Sequence, residues 1–277
     1  MMMKDASILF GLFGLNLLVA VVVHGASVPQ SVADAHGAKC LDGTAPTYDI
    51  VRNCSSNKWV LFLEGGSWCG DATACARRVG WVYPKPVDED LIFPDDPTPS
   101  WGKVGHFGTA DLGGIMSQDP SINPDFHDWN KVFLHYCDGG SFSTSRHDPI
   151  DVFTKGGAPV QMWQRGRQVF NALVGHLQTS LGLDHATEVI LSGGSSGGLA
   201  VFYNIDHLAS LLPSGVRLTG FPDGGFFIDA KNRYGSYAYQ NWFRNMDQQW
   251  NTTGGGGTNK ACLAAATPGE EWKCLMA

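Results

Sequence analysis

Residues 188–204 read EVILSGGSSGGLAVFYN, and few local structures accommodate such a stretch. EVILS is a short apolar run bounded by glycine, which predicts a buried strand. From Gly197 to Ala209 the pattern predicts a helix. Between them, Gly193-Gly194-Ser195-Ser196-Gly197 satisfies G-x-S-x-G. Between strand and helix, that motif strains the serine backbone, lifts its hydroxyl above the sheet edge and aims the next N–H at a developing oxyanion. Ser195 is therefore the candidate nucleophile and the Ser196 amide a candidate oxyanion donor. The bland alternative is a glycine-rich turn with a capping serine. A P-loop is excluded because no Gly-Lys-Ser/Thr follows, and a dinucleotide-binding fingerprint fails on spacing.

Three further apolar runs predict strands: KWVLFLE (58–64), KVFLHYC (131–137) and GVRLTGF (215–221). Between residues 160 and 181, Trp163, Phe170, Leu173, Val174, Leu177 and Leu181 recur at helical spacing. Alternating strands and helices predict an α/β fold with a mostly parallel sheet flanked by helices. Residues 84–125 hold many of the prolines and read as a long surface excursion. NTTGGGGTNK (251–260) reads as a flexible loop. An acyl-transfer site also needs an oxyanion donor from the loop after an earlier strand. FLEGGSWC supplies one, with Gly66 and Ser67 as donors and Trp68 and Cys69 fixing the loop; an ordinary strand-ending turn is the alternative.

The first 27 residues contain one lysine, an apolar run from Ile8 to Val23 and then small residues, with Val23 and Gly25 fitting a signal-peptidase site. Residues 1–25 are read as a cleaved signal peptide and 26–277 as one domain, with an uncleaved anchor as the alternative. No later segment could cross a membrane, so no stable insertion is expected after cleavage. In a secreted chain the seven cysteines read as disulfides. Cys69 with Cys75, and Cys262 with Cys274, are close enough to close local loops. The odd count leaves one free or lacking its partner. Asn53 and Asn251 head glycosylation sequons. The formal charge is -7, with no basic tract beyond Arg77-Arg78 and the spaced Lys155, Arg165 and Arg167, so nucleic acid is excluded as a partner.

CLDGTAPTYDI, WVLFLEGGSWCGDATACARR, NPDFHDWNKVFLHYCDGGSF, LSGGSSGGLA and FPDGGFFID occur in this order. Together they resemble the pectin acetylesterase family, to which the Notum carboxylesterases are related, over roughly residues 40 to 275. The resemblance implies a secreted α/β-hydrolase-like fold with a Ser–Asp–His triad, no cofactor and no metal. It matches Ser195 to the nucleophile and Gly66, Ser67 and Ser196 to the oxyanion positions. It also implies a Cys40–Cys137 bridge, leaving Cys54 as the odd cysteine. Gly194 stands where plant members usually have cysteine, and Ser67 where they have glycine.

A serine hydroxyl needs a base, and in this fold class the chain order is Ser, then Asp or Glu, then His. Only His207 follows Ser195. It lies twelve residues into the helix, roughly 18 Å away at 1.5 Å per residue, and reads as a solvated helix residue. His24, His36, His106, His127, His135, His147, His176 and His185 precede the nucleophile. Asp223 is a weak acid candidate, although by resemblance the triad acid lies elsewhere. The resemblance places acid and histidine beyond residue 277, so the chain is expected to be an ester-hydrolase domain incomplete at its C-terminus. The expected substrate is an acetylated, pectin-like cell-wall polysaccharide. The alternatives are a Notum-like protein deacylase and a non-catalytic, secreted carbohydrate-binding pseudoenzyme.

Overall fold

A computed structural model describes residues 6–11, 18–80, 113–154, 157–256 and 258–276. Nine strands and six α-helices are present among them: β1 (Ala6–Gly11), β2 (Leu18–Ser27), α1 (Gln30–His36), β3 (Thr47–Asn53), β4 (Lys58–Leu63), α2 (Ala72–Arg78), β5 (Asn130–Leu134), β6 (Ile150–Phe153), β7 (Pro159–Met162), α3 (Gly166–Leu181), β8 (Glu188–Gly194), α4 (Ser196–Leu211), β9 (Arg217–Asp223), α5 (Ala238–Trp250) and α6 (Lys260–Ala265). Seven strands form one sheet in the order β1-β2-β3-β5-β4-β8-β9. The run β5-β4-β8-β9 is parallel, as the strand–helix alternation predicts. Beyond it, β3, β2 and β1 extend the sheet in antiparallel fashion.

The central strands read as continuous apolar runs because parallel strands are covered on both faces. Trp59, Val60, Leu61 and Leu63 of β4 and Val132, Phe133 and Leu134 of β5 are all buried. The larger core cluster joins these strands to Phe170, Leu173, Val174 and Leu177 of α3 and to Ala200, Val201 and Leu208 of α4. Lys131 is buried in β5 and donates through Nζ to the carbonyls of His127 (2.7 Å) and Trp129 (3.3 Å).

Two expectations need correction. The helical spacing from residue 160 becomes helix only at Gly166; Pro159–Met162 instead pairs with β6. The Trp163 amide donates to Leu41 O, which commits that backbone elsewhere, and a side chain at Gly166 would collide with Asp138. The described residues of the 251–260 segment are anchored rather than loose. Thr252 and Thr258 are buried, and Thr253 bonds Asp247 through its amide (2.9 Å) and its hydroxyl (2.5 Å). Much of the expected 84–125 excursion lies outside the described residues. The region read as a leader contributes β1 and most of β2. The register of β2 on β3 shifts between Val23 and Ala26, where Gly25 has φ 59°. A cut after Gly25 would keep Ala26 opposite Tyr48 and Ser27 opposite Thr47. No helix among the described residues is long and apolar enough to cross a membrane.

Candidate active site

Ser195 sits between β8 and α4 with φ 55° and ψ -120°, a conformation that L residues rarely adopt. Its amide donates to Asp223 O (2.9 Å) and its carbonyl accepts from Leu199 N (3.0 Å), so the turn is bonded from both sides. The side chain is exposed. The flanking glycines are required by packing. A Cβ on Gly193 would lie 2.5 Å from Gly197 O, and one on Gly198 would lie 2.6 Å from Asp223 O. A Cβ on Gly197 would strike Leu63 O, at the end of β4. Strand, elbow and helix are therefore pressed backbone against backbone. Gly194 differs: an added Cβ meets only Phe62 Cζ, at 3.8 Å, so the site tolerates a larger residue there.

The glycine loop after β4 lies against this elbow. A Cβ on Gly65 would collide with Gly194 O and approach Ser195 Cβ to 3.3 Å. Gly66 (φ 147°) and Ser67 (φ 58°) both adopt positive φ. For Ser67 that is the left-handed region, where glycine fits more easily. The amides of Gly66, Ser67 and Ser196 donate to no partner among the described residues. Such amides beside an exposed serine form an anion-stabilising corner.

The carbonyls of this corner are bonded. Gly66 O accepts from Arg78 Nη2 (2.8 Å), and Ser67 O accepts from Tyr136 Oη (2.9 Å). Ser196 O accepts from Ser141 Oγ (2.7 Å), which itself accepts from Trp68 Nε1 (2.6 Å). The Ser141 amide donates to Tyr136 Oη (3.0 Å). Trp68 thus fixes the loop as expected, and Cys69 does so through its bridge to Cys75. Among the described residues, the non-glycine positions with positive φ are Ser67, Ser141, Phe142, Ser195 and Asn251. The first four belong to this corner, and such strain concentrates at functional sites. The turn carrying Ser141 is organised by buried Asp138, which accepts from Phe142 N (3.1 Å) and Thr144 Oγ1 (3.0 Å). Burial raises the Asp138 pKa against the lowering by these bonds.

No histidine or carboxylate side chain bonds the Ser195 hydroxyl among the described residues. Asp223 ends β9 opposite Gly194, exposed, and touches the elbow only through its backbone. His207 is packed rather than solvated: its Nε2 lies 2.6 Å from Asn171 Oδ1. Burial, helped by Arg167 and Lys260, pulls its pKa down to about 4. His135 is buried at the end of β5, with Nε2 3.2 Å from Asp49 Oδ2 and Nδ1 3.5 Å from Glu64 Oε2. Burial opposes its charge, but the two carboxylates outweigh burial and raise its pKa to about 9. His106 lies outside the described residues.

The disulfides are Cys40–Cys137, Cys69–Cys75 and Cys262–Cys274, and Cys54 is free and exposed. Of the sequon residues, Asn53 Nδ2 donates to Asp128 O (2.7 Å), while Asn251 is exposed at the left-handed cap of α5. No cluster of three or more metal-ligating side chains exists among the described residues. The reading of the residues missed Arg78, Tyr136 and Ser141. Arg78 figured only in a short basic pair and YCDGGSF only as a resemblance, because left-handed backbone at Ser141 and Phe142 leaves no sequence signal.

A strained serine between a parallel strand and a helix, facing a glycine loop, defines the nucleophile elbow of an α/β-hydrolase-like fold. The sequence profile described as Pectinacetylesterase matches residues 23–81 and 106–277, and the chain belongs to that family. Pectin acetylesterase 11 of Arabidopsis thaliana is 33% identical over 238 residues, 83% of this chain and 54% of that protein. The palmitoleoyl-protein carboxylesterase Notum of Schmidtea mediterranea is 29% identical, over 86% of this chain and 42% of its own. Among solved structures, the Wnt deacylase Notum from Drosophila superposes with a TM-score of 0.68 at 25% identity, covering 91% of this chain and 66% of that one. The chain spans about half the length of the curated relatives it matches.

Proposed function

We propose that this chain carries the nucleophile and oxyanion half of a secreted serine ester hydrolase that removes acetyl groups from a pectin-like polysaccharide. The observation that supports this most is the φ 55°, ψ -120° backbone of Ser195, presented beside the free amides of Gly66, Ser67 and Ser196. In the reaction, Ser195 Oγ attacks the ester carbonyl and its proton passes to a base. The carbonyl oxygen becomes an oxyanion held by the amides, and collapse expels the sugar hydroxyl. Water then releases acetate from the acyl-serine. An acetyl-sized group suits the surroundings. Trp68, beside the oxyanion loop, packs on Phe227 (ring centroids 4.6 Å apart), Trp242 (5.2 Å) and Phe243 (6.0 Å), so these aromatics fill their own space. Secretion is supported by the apolar leader and by a family match that begins at residue 23.

The test is hydrolysis of p-nitrophenyl acetate by this chain and by a fusion with the C-terminal segment of pectin acetylesterase 11. The chain alone should stay within roughly 10³–10⁴ of the water rate, the residue of catalysis that an oxyanion hole keeps without its triad. The fusion should turn over at an enzyme-like rate, and Ser195→Ala should abolish that rate. Ser192→Ala should not, since the Ser192 hydroxyl is spent on Phe221 O (2.9 Å). A fusion that folds, binds acetylated pectin and hydrolyses nothing would favour the carbohydrate-binding reading. N-terminal sequencing of secreted protein should start near Ala26; a mature protein retaining Met1 would refute the leader.

A further inference from the structure

We infer that Arg78 is a positioning residue of the oxyanion hole, acting through the peptide group that joins Gly66 to Ser67. This rests on the reading of Ser67 N–H as an oxyanion donor. The carbonyl and the amide in question belong to one peptide: Arg78 Nη2 donates to Gly66 O at 2.8 Å, and the other end of that peptide is the Ser67 N–H. A peptide whose carbonyl accepts from a cation is polarised along its length. Its N–H becomes a stronger donor, and the effect grows in a low-dielectric interior. Arg78 is buried, so the guanidinium acts where screening by water is weak. The bond also fixes the orientation of a peptide flanked by two residues of positive φ, Gly66 and Ser67, which no regular element holds.

The fold places this guanidinium by several independent means. Arg78 ends α2, whose start is capped by Asp71, accepting from Ala74 N at 2.8 Å. Cys75, in the same helix, is bonded to Cys69, two residues beyond Ser67, so helix and oxyanion loop are one cross-linked unit. The guanidinium carbon lies 5.4 Å from the Tyr136 ring centroid, and Tyr136 Oη donates to Ser67 O, the next carbonyl along. Gly139 leaves the room: a Cβ there would strike Cys69 Sγ and come within 3.5 Å of Arg78 Cδ. A lysine would keep the charge without the planar fork. A glutamine could donate a neutral hydrogen bond at most.

The experiment labels the chain with carbonyl-¹³C glycine and ¹⁵N serine. Only Gly66–Ser67, Gly140–Ser141, Gly194–Ser195 and Gly235–Ser236 then give one-bond correlations. In Arg78→Gln, the Gly66 carbonyl carbon and the Ser67 amide proton should both move upfield, while Gly235–Ser236 on its exposed turn stays put. Arg78→Lys should lie between wild type and Arg78→Gln. If the glutamine variant fails to fold, the lysine variant decides: a shift confined to Gly66–Ser67 supports the inference. An unmoved Gly66–Ser67 pair in a folded variant, or equal movement of all four pairs, overturns it. In the active fusion, Arg78→Gln should lower kcat about tenfold with KM unchanged, less than the 10²–10³ lost with a whole donor, and Arg78→Lys should recover part of it. An unchanged kcat, or a change carried by KM alone, sinks the inference. Loss of the serine-hydrolase reading shows separately, as a wild-type fusion no faster than Ser195→Ala; Arg78 would then have no oxyanion to serve and the inference falls with it.

Discussion

The interior and the outer edge of the parallel run differ sharply. Around β4 and β8, backbone packs on backbone, the carbonyls of Gly66, Ser67 and Ser196 are bonded, and strained residues are held from several sides. At β9, beyond β8, all seven residues from Arg217 to Asp223 lie open or half-open, and no strand pairs its outer edge among the described residues. Phe221, Phe226, Ile228, Tyr234 and Tyr237 are exposed there. The oxyanion half of a serine site can thus be finished by local means, through short loops and one crossing hydrogen-bond network. No described histidine or carboxylate side chain supplies the proton-transfer half at Ser195. The open, apolar side of β9 borders the elbow, with Asp223 opposite Gly194.

That contrast can be broken most severely at the tight end. Gly198→Ala should cost on the order of 3 kcal/mol or prevent folding, because the new Cβ would sit 2.6 Å from Asp223 O and 2.8 Å from Gly225 Cα with no flexible side chain to yield. Gly194→Ala should cost less than about 1 kcal/mol, since its Cβ meets ordinary contact distance. Thermal unfolding of the two variants measures the difference; equal losses would show that the elbow is not locked by its backbone.

An intermediate effect is expected from His135, which ties the glycine loop's first residue to β3. Its folded pKa of about 9 lies above the ordinary 6.5, so its contribution is fully present below about pH 6.5 and is lost as pH rises through about 9. The groups facing it are Asp49 and Glu64, with His24 3.9 Å from Asp49 on the far side. Denaturant titrations at pH 6 and pH 10 should show the chain weaker at the higher pH, and His135→Gln should flatten that dependence. A variant with the same slope as wild type would assign the loss to other groups.

The smallest effect belongs to the loose end. Phe226→Ser should change the stability of this chain by no more than about 0.5 kcal/mol, as expected for an exposed site, while making it more soluble. In the fusion with a relative's C-terminal segment, the same change should cost clearly more. If it costs nothing there as well, the open face of β9 is not where that segment packs.

The parts of this architecture visible in the sequence were those with a strong local pattern. KWVLFLE and EVILS stand out because parallel strands buried on both faces are nearly unbroken apolar runs, GVRLTGF because its apolar residues alternate with others although β9 lies exposed, and the elbow because glycine is required on either side of Ser195. β3 was missed: Thr47–Asn53 includes Asp49 and Arg52, whose charges hide a strand that buries Tyr48 and Ile50. The apolar spacing of the β7 residues fits both periods, and only the commitment of Trp163 N to Leu41 O decides against helix there. The candidate nucleophile could be found from the five residues Gly193 to Gly197, whereas the network of Arg78, Tyr136 and Ser141 joins segments separated by up to 69 positions through backbone carbonyls, and carbonyls carry no sequence identity.

The glycine packing at the elbow also bears on how such a gene can drift. Every single-base change in a glycine codon that does not keep glycine yields a stop or a residue bearing at least one more carbon. At Gly193, Gly197, Gly198 and Gly225 that carbon would fall within 3 Å of another segment's backbone. These codons therefore have almost no neutral neighbours, and lineages can vary there only after the strand and helix have shifted together. Gly194 stands one residue from this frozen set with free space beside it. It is the place where a descendant sequence can wander, to cysteine or back, without the serine beside it losing its posture.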